Sequence, residues 1–261
     1  MKKVYYIGDW AVQLGPVYAE TSFNHAPKGL DFINYGHWLL EAIESSRQFQ
    51  VTSVPTWDFY NLKPGGYEKI LETYDIIIFS DVEAKNFQLH PQFFNRDIFG
   101  TKVLTFPDRT KLTVEAVKGG MHVMFLGGWL SFNGELGKGG WGRTPLSEIL
   151  PARCLEYDDL RESTEGFLPE PLAKRHPILA GVNLSRMPPV LGYNRVLPRE
   201  GCEVIAKWKD AGDPAISVGQ FGKGRVLAYT SDPAPHWGCN FVFWKQYPRL
   251  WANACRWLIT G

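Results

Sequence analysis

The stretch at residues 122–141, HVMFLGGWLSFNGELGKGGW, decides the fold reading of this chain. It opens with an apolar run, residues 123–126, of the length and composition of a buried strand. Gly127 and Gly128 end that strand, the tight run Trp129-Leu130-Ser131-Phe132-Asn133 follows, and a loop carries Gly134, Gly137, Gly139, Gly140 and Gly142. In an open α/β sheet, the turn leaving the carboxyl end of a central strand is where ligands bind. The turn is therefore a candidate nucleophile site, a candidate binding surface or a structural corner.

Working outward, residues 4–7, 51–54 and 75–80 read as further short strands. DIIIFS at 75–80 is a continuous apolar run, as a strand covered on both faces requires. Residues 30–49 have helical period, with Leu30, Ile33, His37, Leu40, Ala42 and Ile43 on one broad face. Residues 66–73 and 110–118 read as helices, the second closed by Gly119-Gly120. Residues 11–28, with Gly15, Pro16 and Pro27, read as irregular, and 55–64 as a turn-rich connection. Strands alternating with helices predict an α/β fold: a mostly parallel, doubly wound sheet with helices on both faces. Residues 134–187 read as mainly loops and include the acidic cluster Glu156, Asp158, Asp159, Arg161 and Glu162. Three late strands follow at 204–208, 215–218 and 225–230, the last two joined by GQFGKG as an antiparallel hairpin. A Trp-rich helix at 243–259 closes the chain. No repeat or linker divides it, so residues 1–261 are expected to form one domain.

At 261 residues, with 44% hydrophobic and 21% charged residues, the chain can bury a sizeable core. A formal net charge of +1 gives no reason to expect nucleic acid or an anionic membrane as partner. Ten Trp, eleven Tyr and sixteen Phe are the unusual feature, because such rings build ligand-stacking surfaces as well as cores. Cys154, Cys202, Cys239 and Cys255 have no metal or redox spacing and are expected to be reduced thiols in a cytoplasmic protein. The N-terminal MKKVYYIGDW lacks the apolar core of a signal peptide and reads directly as a first strand. No window is apolar enough for a transmembrane helix.

The motifs GGWLSFNG (127–134), GKGGWGRTPLSEILP (137–151), HPIL (176–179), GKGRVLAYTSD (222–232) and PHWG (235–238) together carry a family resemblance. The set resembles the class I glutamine amidotransferase-like domain family, a flavodoxin-like group that also includes trehalose-utilisation-type proteins, and it spans nearly the whole chain. The resemblance implies a flavodoxin-like sheet. Working glutaminases of this group carry a cysteine on the sharp turn after a central strand, in a Gly-x-Cys-x-Gly setting, where backbone N–H groups stabilise the oxyanion. Aligning residues 123–126 with that pattern puts Trp129 in the cysteine slot. An indole cannot attack an amide carbonyl, and none of the four cysteines lies near the turn in sequence.

Two catalytic candidates remain. Ser131 is the nearest hydroxyl, but its flanking glycines, Gly128 and Gly134, stand three residues away on either side, so it reads first as a cap for a free backbone N–H and only second as a nucleophile. His236, after a late strand, matches the position of the family's histidine and reads equally as a general base or as a histidine fixing its turn by hydrogen bonds; Asp232 would orient it or bind a polar ligand. The other histidines, His25, His37, His90, His122 and His176, read as packed or turn-forming. Asp9, Asp81 and Glu83 each follow a predicted strand and are expected to converge on one rim, where they would bind sugar hydroxyls or a cation, or pair with Arg143, Lys85 or Arg161. Trp10, Trp129, Trp141 and Trp237 are expected at the same rim, as an aromatic pocket or a loop-level core. GELGKGGWGRT matches neither phosphate-loop pattern. No spacing indicates a metal and no motif requires a cofactor. The functional expectation is a protein without the glutaminase nucleophile that binds a small polar or carbohydrate-like ligand, lined by Asp9, Trp10, Asp81, Glu83, Gly128, Trp129, Trp141, Arg143 and Trp237. The alternatives are a hydrolase or transferase using His236 with Ser131 or water, and an interaction or homo-oligomerisation module using the aromatic rim.

Overall fold

The computed structural model describes residues 1–14, 17–19, 25–27, 30–94 and 105–261. Strand β1 (Lys2–Ile7) is followed by β2 (Trp10–Leu14), β3 (Val17–Ala19), β4 (His25–Pro27) and β5 (Leu30–Asn34), then helix α1 (His37–Glu44) and β6 (Phe49–Val54). Helices α2 (Thr56–Tyr60) and α3 (Gly66–Thr73) lead to β7 (Ile76–Ser80), and α4 (Ala84–Gln88) and α5 (Arg109–Gly119) lead to β8 (His122–Leu126). Later come β9 (Ala152–Cys154), β10 (Leu160–Phe167), β11 (Pro169–Pro171), β12 (Val190–Asn194) and β13 (Val196–Pro198). The chain ends in β14 (Glu203–Trp208), β15 (Pro214–Phe221), β16 (Gly224–Tyr229) and helix α6 (Tyr247–Thr260).

Eight strands form one sheet in the order β11-β14-β15-β16-β8-β7-β1-β6. Strands β6, β1, β7, β8 and β16 are parallel. Numbered along the chain, these five give the order 2-1-3-4-5, the flavodoxin-like doubly wound arrangement, with its switch point between β1 and β7. Strands β15, β14 and β11 extend it antiparallel. The β15–β16 corner is the expected hairpin, with Phe221 opposite Gly224 and Gly222 at φ +62° in the turn.

The apolar strand runs follow from cover on both faces. Along β1, Val4 and Tyr6 enter one core cluster while Tyr5 and Ile7 enter the other. The same alternation sends Ile76, Ile78, Met124 and Leu126 to the first face and Ile77, Phe79, Val123 and Phe125 to the second. Helices α1 and α6 cover the first face, through Leu39, Ile43, Leu250, Trp251 and Leu258. Helices α3 and α5 cover the second, through Tyr67, Ile70, Val114 and Val117.

Four segments differ from the sequence expectation, one being the connection 55–64, where Thr56–Tyr60 forms helix α2. The helix expected over 30–49 is confined to His37–Glu44, because Leu30–Asn34 pairs antiparallel with Trp10–Leu14. The break is at Gly36, whose N–H bonds the Asp9 carbonyl at 3.1 Å and where an added Cβ would lie 2.7 Å from the Tyr6 ring. The segment read as irregular, 11–28, contains most of β2 and the pair β3–β4; Gly15, Pro16 and Lys28 lie outside the described residues. The loop-rich stretch 134–187 holds β9, β10 and β11, which pair with β13, β12 and β14. Non-local pairing of this kind leaves little local periodicity to read.

Candidate functional site

The carboxyl ends of β1, β7, β8 and β16 open into one cleft of about 590 Å³. Its acidic lining is Asp9, Asp81 and Asp232, its aromatic lining Trp10, Tyr35, Trp57 and Trp129, with His236 beside them. Close packing of the strand ends draws these groups together. A Cβ at Gly8 would lie 1.7 Å from the Ser80 carbonyl oxygen, so β1 and β7 meet only because residue 8 is glycine. Asp9, Asp81, Phe132 and His236 all hold positive φ, at 55°, 52°, 52° and 145°. Backbone strain gathered at one rim marks a place where surrounding contacts impose the geometry.

Protein hydrogen bonds fix each acid. Asp9 accepts from the buried Tyr6 hydroxyl, Asp81 Oδ1 accepts from the Leu130 N–H at 2.8 Å, and Asp232 Oδ1 accepts from the Ala234 N–H at 2.8 Å. Burial raises all three. Asp9 is pushed up to about 6, opposed chiefly by the Tyr6 bond. Asp81 and Asp232 are held well above the usual carboxylate range by burial and then by the neighbouring carboxyls. The Ser80 hydroxyl lies close enough to Asp9 to oppose its rise, yet is fully buried and forms no hydrogen bond of normal geometry.

His236 Nδ1 lies 3.1 Å from Asp232 Oδ2. Burial lowers its basicity, against the pull of Asp81, Glu162 and Asp9. Burial thus works against charge on both partners of this contact. The imidazole meets the Trp129 ring edge-to-face at a centroid distance of 4.0 Å and stacks on Trp237. Trp129 is 46% exposed, whereas Trp237 is buried. Both indole N–H groups donate to one oxygen, Glu162 Oε1, at 3.0 and 2.8 Å, and these bonds hold the Glu162 carboxyl below its ordinary range.

The turn after β8 has the position of a nucleophile elbow but its amides are occupied. The Gly128 N–H donates to Asn194 Oδ1 at 2.9 Å, and the Leu130 N–H to Asp81. The Asp81 carboxyl thus sits on the N–H that follows the nucleophile slot, where an acyl-transfer site would receive its oxyanion. Gly128, at φ +152°, abuts that carboxyl so closely that a Cβ would fall 2.1 Å from Oδ1. Ser131 is fully buried and its Oγ accepts from the Asp81 N–H at 3.0 Å; no hydrogen bond joins it to His236 among the described residues. Buried Asp159 ties down the next turn, accepting from the N–H groups of Asn133 and Gly134 at 2.8 and 3.0 Å and from Asn194 Nδ2 at 2.9 Å.

Of the residues expected at the rim, Asp9, Trp10, Asp81, Trp129, Asp232 and His236 share the cleft. Glu83 does not; it pairs with Lys85 at 2.8 Å and, with Arg143, lines a separate recess of about 250 Å³. Arg143 donates to the Gly137 carbonyl at 2.5 Å. Trp141 is fully buried and donates to the Val82 carbonyl at 2.7 Å, so it holds the glycine loop down. Tyr35, Trp57, Glu162, Asp159 and Asn194 were not singled out from sequence. Glu162 and Asp159 stood in a visible acidic cluster, but only the β10–β12 pairing shows which two turn inward. Among the described residues, no three His, Cys, Asp or Glu side chains are grouped to hold a metal ion, and no helix is long and apolar enough to cross a membrane.

Two cytoplasmic proteins of Salmonella typhimurium have similar solved structures. STM3548 is 26% identical, covers 98% of both chains and has a TM-score of 0.82. STM1381 is 27% identical over 98% of this chain and 99% of its own, with a TM-score of 0.80. A thua-like protein of Parabacteroides merdae, at 12% identity over 100% of this chain and 90% of its own, shares the fold with a TM-score of 0.53. No curated protein sequence matches the chain. The family model described as "Putative glutamine amidotransferase" matches residues 22–260. With that match across most of its length, the chain belongs to this glutamine amidotransferase-like family.

Proposed function

We propose that the protein binds a small carbohydrate-like molecule in the rim cleft and does not act as a glutaminase. The observation carrying this reading is the pairing of a hydrogen-bonding floor, Asp9 and Asp81, with the aromatic wall of Trp10, Trp57 and Trp129. Sugar rings present hydroxyls at their edges and an apolar C–H face, and so match an acidic floor beside indoles. The cleft volume lies within the range of small-molecule sites. Trp129 would be the stacking face, held in position by Glu162. Against amide hydrolysis stand the indole in the nucleophile slot and the occupied Gly128 and Leu130 amides.

Calorimetry with monosaccharides and disaccharides tests the reading. Saturable binding that weakens about tenfold in Trp129→Ala is expected, since loss of one aromatic stacking face costs on the order of 1–2 kcal/mol. Release of ammonia from glutamine by the wild-type protein, lost in His236→Ala, would overturn it. A second reading rests on the Asp232–His236 bond, which leaves Nε2 as a base toward water in the cleft. It requires glycoside or ester hydrolysis that disappears in His236→Gln while binding persists.

A further inference from the structure

Taking the cleft as a ligand site, as read above, we infer that its ligand carries a protonated primary amine on a compact ring, as an amino sugar does. The first support is the set of acceptors left over. Asp9 Oδ2 takes the Tyr6 hydroxyl and Asp81 Oδ1 takes the Leu130 N–H, and among the described residues no hydrogen bond of normal geometry reaches Asp9 Oδ1 or Asp81 Oδ2. A ligand that satisfies these two oxygens must bring N–H or O–H donors.

The second support is charge. Among the described residues, the cleft lining contains three carboxyl groups and neither Lys nor Arg. Its one basic side chain, His236, is already turned by Nδ1 onto Asp232. An anionic ligand would add to the mutual repulsion of the acids. A neutral polyol would leave that repulsion in place, whereas an ammonium group removes it and supplies three donors at once. The described acids lack the grouping for a metal ion, which favours an organic cation. The third support is the wall, because Trp10, Trp57, Trp129 and Tyr35 offer π faces to a cation as well as to ring C–H groups. The fourth is the Ser80 hydroxyl, fully buried beside Asp9 without a partner. It is placed to bond the Asp9 carboxylate, which an ammonium group would keep ionised to lower pH.

The titratable groups around the cleft are Asp9 and Tyr6 from β1 and its turn, Asp81 after β7, Asp232 and His236 after β16, Tyr35 before α1, Glu162 on β10 and Tyr247 on α6. Apart from Glu162, the acids are raised by burial. An ammonium group stabilises their ionised forms, so its binding expels protons into the buffer.

The test is calorimetry near pH 6, where Asp9 still holds part of its proton, on the wild-type protein, in buffers of different ionisation enthalpy, with D-glucosamine against D-glucose and cyclohexylamine against cyclohexanol. Each amine is expected to bind about tenfold more tightly than its neutral counterpart, with proton release. Asp9→Asn and Asp81→Asn should remove that preference; Asn can keep the bonds from Tyr6 and Leu130, and circular dichroism checks the fold. Equal affinities within both pairs, or binding without proton release, would overturn the amine while leaving the cleft a sugar site. Absence of binding by all four compounds and by other sugars overturns both readings.

Discussion

Replacing Asp9 by Asn should make the protein more stable, although Asp9 is hydrogen-bonded and close to the core. Its carboxyl, ordinarily near 3.8, rises to about 6 on folding, chiefly because burial disfavours the charge. The folded protein therefore holds the Asp9 proton to higher pH than the unfolded chain does. The stability associated with that proton is fully present below about pH 4 and is lost as pH rises through about 6. A rise of this size corresponds to about 3 kcal/mol at pH 7. Asn does not titrate, tolerates the left-handed φ of 55° at this position, and can accept from Tyr6. Its amide brings two donors of its own, and imperfect pairing of these returns about 1 kcal/mol. The net gain at pH 7 is then about 2 kcal/mol, or a melting temperature about 4–8 °C higher for a chain of this size. Scanning calorimetry of both proteins from about pH 4 to about pH 7 measures it. The offset should grow with pH and fall to zero or slightly below at the acid end, where only the amide's cost of about 1 kcal/mol remains. An Asn variant that melts at or below wild type near neutrality, or an offset equal at every pH, would refute the reasoning.

Gly128→Ala should cost about 2–4 kcal/mol in denaturant unfolding, because its Cβ would fall 2.1 Å from Asp81 Oδ1 at a φ that L-residues rarely adopt. A change under about 0.5 kcal/mol would show that the elbow relaxes freely. Ser131→Ala should cost about 1–3 kcal/mol by stranding the Asp81 N–H, while ligand affinity stays within about twofold; a folded variant that has lost all function would restore Ser131 as a nucleophile. Trp129→Cys should not release ammonia from glutamine, since the neighbouring Gly128 and Leu130 amides are already bonded and cannot receive an oxyanion. Measurable turnover in that variant would mean that Asp81 swings aside.

The sequence by itself determined the parallel part of the sheet. A strand covered on both faces needs an unbroken apolar run, and residues 4–7, 75–80 and 123–126 carry one each, so local composition sufficed. The expectation that an indole stands in the family's nucleophile slot also comes from the sequence, through one residue's position after one strand. The residues placed directly after strands, Asp9, Asp81, Asp232 and His236, were legible for the same reason, and they meet in the cleft. Tertiary structure decided everything that depends on pairing between distant segments. The β2–β5 hairpin replaced an expected helix, and the β10–β12 pair turned Glu162 toward two indoles and Asp159 beneath the elbow. Glu83, Arg143 and Trp141 have the right residue types close to the right strands, yet an ion pair, a carbonyl contact and burial take them out of the cleft. Sequence spacing fixes which strand end a residue follows, whereas its side chain's direction is set by partners up to 75 residues away, as in the Trp237–Glu162 bond.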